Sequence, residues 1–130
     1  MTSNSYLLDS NVLYWLGFDG RRLGKETLRL IRTKHLYFSS ISLAELSEKA
    51  RSGRIKFYKD PAAQWQEFGI QPLSFFLEAA SHFSSFSAHE ISDPFDRMIM
   101  ATARANNLKL ITSDRKILAQ GFDWVLDATT

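Results

Sequence analysis

The stretch that decides the fold of this chain is residues 93–114, DPFDRMIMATARANNLKLITSD. An aspartate followed by proline often begins a helix, so Asp93-Pro94 predicts a helix that runs to residues 106–107. The next five residues, 108–112, have the apolar pattern of a strand, and Ser113-Asp114 ends it. A helix that leads directly into such a strand is typical of the crossover connections in parallel sheets.

The same alternation runs through the rest of the chain. Three further strands are predicted from short apolar runs at residues 6–8, 36–38 and 124–126. Ser10-Asn11 is expected to cap a first helix that continues to Leu16. The other helices are predicted at residues 24–34, 42–53, 61–69, 73–83 and 115–119, with a polar loop at 84–92. Because each parallel connection needs a crossover, this order predicts a parallel sheet sandwiched between helices.

Composition limits the possible classes of protein. The chain has 130 residues, 45% of them hydrophobic, which is enough for the core of a single domain spanning residues 1–130. It contains no cysteine, which excludes a disulfide framework, a thiolate metal site and a cysteine nucleophile. No apolar run approaches the roughly 18 residues of a membrane span, and the N-terminus lacks a signal-peptide pattern. We therefore expect a soluble protein of the cytoplasm.

Positive charge is concentrated in one part of the chain. Residues 21–59 contain eleven of the sixteen basic residues and only three acids, a net charge of +8 that leaves −6 for the remainder. Such a separation suits a polyanionic partner that binds beside an acidic pocket. It is equally compatible with two helices whose outer faces are simply solvated by lysine and arginine.

Four acidic residues follow a common pattern, because each lies where a strand-like run passes into a helix-like run: Asp9, Glu45, Asp96 and Asp114. The carboxyl ends of parallel strands form the ligand crevice of an open α/β sheet, so these side chains are expected to converge there. Converging carboxylates without matching cations indicate a metal site. Mg²⁺ or Mn²⁺ fits best, because these ions prefer oxygen ligands and the chain offers no thiolate. Such ions support phosphodiester hydrolysis.

Each acid also has a purely structural explanation. Ser42-x-x-Glu45 matches a capping box, Asp93 is a good N-cap, and Asp96 lies in the first turn of its helix, where negative charge is favoured. Asp114 is placed to cap the helix that starts at Arg115, and Asp9 to form a turn with Asn11. The chemical interpretation therefore rests on the set of acids and not on any one of them.

Four segments resemble the signature of PIN-domain nucleases, and more narrowly that of the VapC-like toxins of type II toxin–antitoxin pairs. They occur in family order over nearly the whole chain: YLLDSNVL at 6–13, ISLAELS at 41–47, DPFDRMIMATA at 93–103 and LITSD at 110–114. The most specific part is the DPFDR helix start followed by the TSD strand end. Length also agrees, since members of this group consist of a single domain.

The resemblance implies a three-layer α/β/α sandwich with a central parallel sheet and a Mg²⁺- or Mn²⁺-dependent endoribonuclease. The residues matching the family's catalytic and metal-binding quartet are Asp9, Glu45, Asp96 and Asp114. Asp93 matches an auxiliary acid one turn before Asp96. Ser10, Asn11 and Ser113 match neighbours that orient water or the scissile phosphate. The family often has threonine after its first acid, and Ser10 keeps that hydroxyl.

Partners are also implied by the resemblance. It implies a homodimer and a cognate antitoxin whose C-terminal segment occupies the active-site groove, often with a basic side chain that reaches the acids. Four large aromatic residues are candidates for the groove floor or the dimer interface, although large aromatics at helical spacing are more often core residues: Trp15, Phe18, Trp65 and Phe68.

The segment 49–59, KARSGRIKFYK, is the candidate RNA-binding surface. Its basic residues suit backbone phosphates and its aromatic pair suits an unpaired base: Lys49, Arg51, Arg54 and Lys56, with Phe57 and Tyr58. Arg97 and Arg115 follow two of the acids directly. We interpret these two arginines either as contacts for the scissile phosphate or as salt-bridge partners that steady the neighbouring acids.

Three other functions remain open from the sequence. A haloacid-dehalogenase-like phosphatase also has an aspartate after its first strand, but it needs a second one at the position of Asn11. A non-catalytic RNA- or protein-binding module would use the acids only as helix caps. A PIN-like nuclease acting on DNA would share the whole site and differ only in its substrate.

Overall fold

The computed structural model describes residues 4–130. A parallel sheet of five strands has helices on both faces, which confirms the predicted α/β/α sandwich. The strands are β1 (Ser5–Leu8), β2 (His35–Ser39), β3 (Ile70–Leu73), β4 (Lys109–Thr112) and β5 (Val125–Asp127). The helices are α1 (Ser10–Phe18), α2 (Lys25–Thr33), α3 (Ser40–Arg51), α4 (Pro61–Glu67), α5 (Leu77–His82), α6 (Pro94–Ala105) and α7 (Arg115–Leu118), with 3₁₀ turns at Gly20–Arg22 and Phe83–Ser85.

Alternating side chains of the central strands supply a core on each face of the sheet. Leu8 of β1 and Ile111 of β4 pack on one side, in a cluster with residues of α1 to α4. Leu7 and Leu110 point to the other side and pack with Met100 and other residues of α6. This two-residue period buries both faces of β1 and β4, which explains why their sequences are continuous apolar runs.

The order of strands determines where a ligand crevice lies. It is β3-β2-β1-β4-β5, so the chain first builds outward from β1 on one side and then returns to add β4 and β5 on the other. The direction reverses between β1 and β4, and crevices of open α/β sheets lie at the carboxyl ends of the strands at such a point. Asp9 directly follows β1, and Asp114 follows β4 by two residues.

One strand was not predicted. The predicted helix at 73–83 is wrong in its first part, because β3 occupies Ile70–Leu73 and α5 begins only at Leu77. β3 is an edge strand paired only with β2, and two of its four side chains are exposed. Pro72 is tolerated there because an edge strand needs hydrogen bonds on one side only.

The beginnings of two helices also differ from prediction. Asp9, and not Ser10-Asn11, is the N-cap of α1. Helix α3 begins at Ser40, and its N-cap is Ser39, whose hydroxyl accepts a hydrogen bond from the backbone N–H of Ile41 at 3.0 Å. The predicted capping box of Ser42 and Glu45 is therefore wrong, because both residues lie inside the helix.

The four candidate interface aromatics have different environments. Trp65 belongs to the core, where its ring lies 4.8 Å from that of Phe38 between ring centroids. Trp15 is partly buried, with the Arg22 guanidinium 5.2 Å from its ring centroid. Phe18 and Phe68 are 40% and 49% exposed, so they remain candidates for a surface contact.

No helix within residues 4–130 is long and apolar enough to cross a membrane.

Candidate metal centre

Asp9 lies at the end of the central strand, and two hydrogen bonds hold its carboxylate. Its Oδ1 accepts from the backbone N–H of Ser10 at 2.8 Å, and its Oδ2 accepts from the hydroxyl of Thr112 at 2.6 Å. The residue is only 4% exposed. A buried carboxylate is costly unless it is hydrogen-bonded and balanced by positive charge.

Thr112 connects Asp9 to Asp114. While its hydroxyl donates to Asp9, the same oxygen accepts from the backbone N–H of Asp114 at 3.0 Å. Oδ1 of Asp114 accepts from the backbone N–H groups of Lys116 and Ile117 at 2.8 and 3.3 Å, as the predicted cap of α7. Thr112 was not predicted as a site residue, because a β-branched residue in a strand is typical of the core. The available signal was a hydroxyl at the last strand position, two residues before an acid.

Glu45 projects from α3 and is almost fully buried, at 8% exposure. Its Oε1 accepts from the hydroxyl of Ser10 at 2.7 Å, and that hydroxyl also lies 2.9 Å from Oγ of Ser42. Its Oε2 lies 3.5 Å from Nζ of Lys49, one helical turn further along α3. Ser42 and Glu45 are both buried, so the face of α3 that carries them lies against the crevice.

Helix α6 supplies two further acids. Asp93 is its N-cap, with Oδ1 accepting from the backbone N–H of Phe95 at 2.9 Å, and Asp96 lies in the first turn. One carboxylate oxygen from each of Glu45, Asp93 and Asp96 lies within 4.8 Å of the other two. Among residues 4–130 these three acids form the group close enough to share a cation.

Burial and the nearby acids raise the pKa values of Asp96 and Asp9. Burial, followed by repulsion from Asp9, Asp93, Asp114 and Glu45, raises the pKa of Asp96 from 3.8 to about 8. Burial is also the largest cause for Asp9, whose pKa rises to about 6 although its hydrogen bonds to Thr112 and Ser10 oppose the change. All four acids of the predicted quartet therefore interact electrostatically, and Asp93 belongs with them.

These residues fit a hard divalent cation. The donor atoms are carboxylate oxygens of Glu45, Asp93 and Asp96 that lie close together. Burial, with repulsion from the neighbouring acids, raises the pKa of Asp96, so a cation bound here would stabilise its charged form. Mg²⁺ and Mn²⁺ are bound by such oxygen sets. Glu45, Asp93 and Asp96 are placed to hold the ion, with Asp9 and Asp114 adjacent to them.

The residues predicted to assist the acids have different positions. Ser10 contacts Glu45 directly, as described above. Ser113 is partly buried, and its backbone carbonyl accepts from Nε of Arg115 at 3.2 Å. Asn11 is exposed at the start of α1. Of these three, the Ser10 hydroxyl is the group with a direct contact to an acid within the described part of the chain.

Neither predicted arginine pairs with its neighbouring acid in the structure. Arg115 forms a two-point salt bridge with Asp127, at 3.0 and 2.8 Å, and thereby joins the start of α7 to the end of β5. The guanidinium of Arg97 lies 4.7 Å from the ring centroid of Phe83. Its buried Nε has no hydrogen-bond partner among the residues described. The salt-bridge interpretation is thus wrong for Asp96 and Asp114 in this structure.

The predicted RNA-binding segment leads away from the metal centre along the end of α3. Lys49 pairs with Glu45 inside the site, whereas Arg51 pairs with Glu48 on the outside of the helix. Arg54 and Lys56 are exposed beyond the helix end. Phe57 and Tyr58 are partly buried and pack against Phe18, so their rings are not freely available for stacking on a base.

Replacing Thr112 by valine is expected to impair the site without enlarging any cavity. Valine has nearly the same shape but no donor for Asp9, so the pKa of Asp9 should rise further and the affinity for Mn²⁺ should fall by about 10- to 100-fold. Thr112→Ser, which retains the hydroxyl, is the matched control. NMR titration of the Asp9 carboxyl and calorimetric titration of Mn²⁺ measure the two effects. Equal values in the valine and serine variants would show that the hydroxyl does not position Asp9.

The fold and this site define an α/β protein with an acidic candidate metal centre at the strand-order reversal. The sequence model of the PIN domain matches residues 6–122. The chain therefore belongs to the PIN domain family, and the predicted resemblance is confirmed.

Two kinds of relatives agree with this assignment. "Ribonuclease VapC22" of Mycobacterium tuberculosis is 33% identical over 120 residues, which cover 85% of this chain and 88% of the relative. VapBC2 from Rickettsia felis, solved with a DNA fragment of its promoter, has a TM-score of 0.66 at 18% identity and covers 95% of this chain and 96% of its own. A toxin–antitoxin complex from Klebsiella pneumoniae has a TM-score of 0.65 at 18% identity, with coverages of 93% and 95%. At these identities the two solved structures show the shared fold.

Proposed function

We propose that this protein is a Mg²⁺- or Mn²⁺-dependent endoribonuclease that acts as the toxin of a type II toxin–antitoxin pair. The observation that carries the proposal is the convergence of carboxylates from Glu45, Asp93 and Asp96 beside Asp9. Membership of the PIN domain family and the similarity to a VapC ribonuclease support the same chemistry. An RNA substrate agrees with the cytoplasmic location expected from the sequence.

The acids have distinct parts in this proposal. Glu45, Asp93 and Asp96 hold the cation. A bound Mg²⁺ or Mn²⁺ lowers the pKa of water and stabilises charge on a phosphodiester oxygen. Asp9 is kept in a fixed orientation by Thr112 and by the backbone of Ser10, which suits it to accept a hydrogen bond from the attacking water. Oδ1 of Asp114 caps α7. Its second carboxylate oxygen is assigned the same role as Asp9, which is to accept a hydrogen bond from the attacking water.

Basic residues near the end of α3 are proposed to hold the RNA backbone. Arg54 and Lys56 are exposed just past the end of α3, and the backbone N–H of Arg54 donates to the carbonyl of Lys49 at 2.9 Å. Neutralisation of phosphates by such residues gives affinity that is independent of sequence and falls with salt. Arg51 is already paired with Glu48, Arg97 lies over the ring of Phe83, and Arg115 is paired with Asp127. We therefore expect these three arginines to contribute less to RNA binding.

Asp9→Asn is expected to abolish cleavage of single-stranded RNA while the protein remains folded. Asparagine preserves size but removes the negative charge that the site needs, and losses of about a thousandfold are typical when a group acting in the transition state is removed. RNA and flap DNA substrates should be compared in the same assay, by gel analysis of labelled strands. Cleavage confined to flap DNA would favour the DNA-specific alternative, and full RNA cleavage by Asp9→Asn would contradict this role of Asp9.

A non-catalytic binding module is the second candidate, because Asp9, Asp93 and Asp114 all serve as N-caps. Capping alone explains these three acids but not the buried Glu45 or the raised pKa of Asp96. Isothermal titration distinguishes the candidates. The module predicts no Mn²⁺ binding and unchanged RNA affinity in the aspartate variants.

The partners of this protein belong to the proposal as well. We infer a cognate antitoxin, since the solved structures that share the fold include a VapBC assembly and a toxin–antitoxin complex. The homodimer is proposed from the family resemblance of the sequence alone. An acidic centre attracts an arginine or lysine from such a partner. A small reading frame directly upstream, whose product relieves growth arrest on co-expression, is the expected observation.

A further inference from the structure

Lys49 differs from the other paired cations of the basic stretch. Arg22, Arg29 and Arg51 each bind an acid on the outside of the protein, three residues away along the chain. Lys49 instead pairs with Glu45, a buried acid of the metal centre. Within residues 4–130 it is the ion-paired cation whose partner belongs to the acidic cluster.

The two carboxylate oxygens of Glu45 are held differently: one by a short hydrogen bond and the other by a longer ion pair. Glu45 Oε1 is held by the Ser10 hydroxyl at 2.7 Å, whereas Oε2 lies 3.5 Å from the Lys49 ammonium. That separation is longer than a direct N–H···O hydrogen bond and longer than in the other four salt bridges. The Lys49 side chain is 32% exposed, so its ammonium has a path to solvent.

The position of the ammonium places it in competition with a metal ion. Glu45 is one of three acids whose oxygens lie close enough to share a cation, and Lys49 contacts the same carboxylate. Two positive charges at one carboxylate repel each other. A divalent ion, which interacts with all three acids, offers a larger electrostatic stabilisation than one ammonium on one acid.

We propose that Lys49 is an exchangeable counter-ion of the metal centre. Its ammonium balances Glu45 when no divalent cation is bound and leaves Glu45 when one binds. The released ammonium then binds an RNA phosphate beside the exposed Arg54, whose backbone N–H donates to the carbonyl of Lys49 at 2.9 Å. This inference rests on the proposed function, because it requires a divalent cation at the acidic cluster.

The exchange links metal binding to RNA binding. If the metal releases Lys49 for the RNA, then RNA that holds Lys49 must strengthen metal binding by the same factor. Removing the Lys49 charge should therefore have opposite effects on the two ligands. Metal alone should bind more tightly, and RNA should gain less affinity when metal is added.

The experiment is a calorimetric titration in which Mn²⁺ alone is added to metal-free protein. Lys49→Met is expected to bind Mn²⁺ about fivefold more tightly, because the metal no longer has to break the Lys49–Glu45 pair, and fivefold corresponds to the attraction of two unit charges about 4 Å apart in a water-like dielectric. Lys49→Arg keeps the charge and should stay near the wild-type affinity. Lys59→Met removes an exposed charge of the same basic stretch that is not paired with Glu45, and it should leave the affinity unchanged.

A second readout uses RNA binding in the cleavage-deficient Asp9→Asn background. Mn²⁺ should increase RNA affinity more in the protein with Lys49 than in its Lys49→Met counterpart. Wild-type protein that binds Mn²⁺ with the same affinity as Lys49→Met, or more tightly, overturns the role of Lys49 and leaves the proposed function intact. Absence of Mn²⁺ binding in every variant overturns both the inference and the proposed metal centre.

Discussion

Replacing Asp96 by asparagine is expected to abolish RNA cleavage and, at the same time, to make the metal-free protein more stable. Loss of cleavage follows from the removal of one of three acids placed to hold the cation. The gain in stability follows from the pKa of Asp96, which burial and four neighbouring acids raise from 3.8 to about 8. Functional sites commonly trade stability for activity in this way.

The protonation of Asp96 in the folded and unfolded states determines how the stability changes with pH. The folded protein keeps the Asp96 proton up to about pH 8, whereas the unfolded chain releases it near the ordinary value of 3.8. Between these values the folded state binds more protons, so this group lowers the free energy of unfolding as pH rises from about 4 to 8. The asparagine side chain of the variant carries no charge, so its advantage in stability should be largest at pH 8 and disappear near pH 4.

Thermal unfolding in EDTA across this pH range measures the effect, and RNA cleavage with Mn²⁺ measures the loss of activity. Asp123→Asn is the matched control, because Asp123 is exposed and lies outside the acidic cluster. It should change neither property. A variant at Asp96 that unfolds at a lower temperature than wild type at pH 8 would contradict the electrostatic strain assigned to the site.

The second large effect is the pH dependence of metal binding. Asp96 and Asp9 have pKa values of about 8 and about 6, so both compete for protons with a cation near neutrality. Metal binding must displace the Asp96 proton between pH 6 and 8, and affinity should therefore rise by about tenfold for each pH unit in this range. Below pH 6 the Asp9 proton adds to the competition, and the dependence should steepen.

Calorimetric titration of Mn²⁺ in buffers with different enthalpies of ionisation counts the protons released. About one proton per bound ion is expected at pH 7. Asp96→Asn lacks the group with the higher pKa, so whatever affinity it retains should vary little between pH 7 and 8. An affinity that is constant from pH 6 to 8 in wild type would show that the acids are not protonated as the structure implies.

Much of the fold follows from local chemistry. Asp93-Pro94 and Asp60-Pro61 each begin a helix as predicted, because a carboxylate that caps the first turn and a proline that needs no donor act within a few residues. The central strands were recognised because both of their faces are buried. The edge strand β3 was missed, since it has one neighbour, two exposed side chains and a proline.

Less of the site could be read from the sequence, because its contacts join distant segments. The Ser10 hydroxyl meets Glu45 across 35 residues, and the Thr112 hydroxyl meets Asp9 across 103. Ser39 and Ser42 are equally good caps by local pattern, and only tertiary packing decides that Ser39 caps α3.

The acids themselves were identifiable from their positions after strands, but their grouping was not. Asp93 was predicted as an auxiliary residue, and its carboxylate lies in the close group with Glu45 and Asp96. Asp93 is the N-cap of α6, and Asp96 follows it three residues later in the first turn. Which side of α3 faces these two acids is determined by the packing of the two helices. The roles of the individual acids stay predictions.

Above all, we propose that converging carboxylates bind a divalent cation and that this cation makes the protein a ribonuclease. The most direct test is cleavage of a single-stranded RNA by protein that has been freed of metal with EDTA, dialysed and then titrated with Mn²⁺ or Mg²⁺. We predict no cleavage before the metal is added, saturable cleavage afterwards, and its loss when EDTA is restored. Equal cleavage by the metal-free protein would contradict the claim.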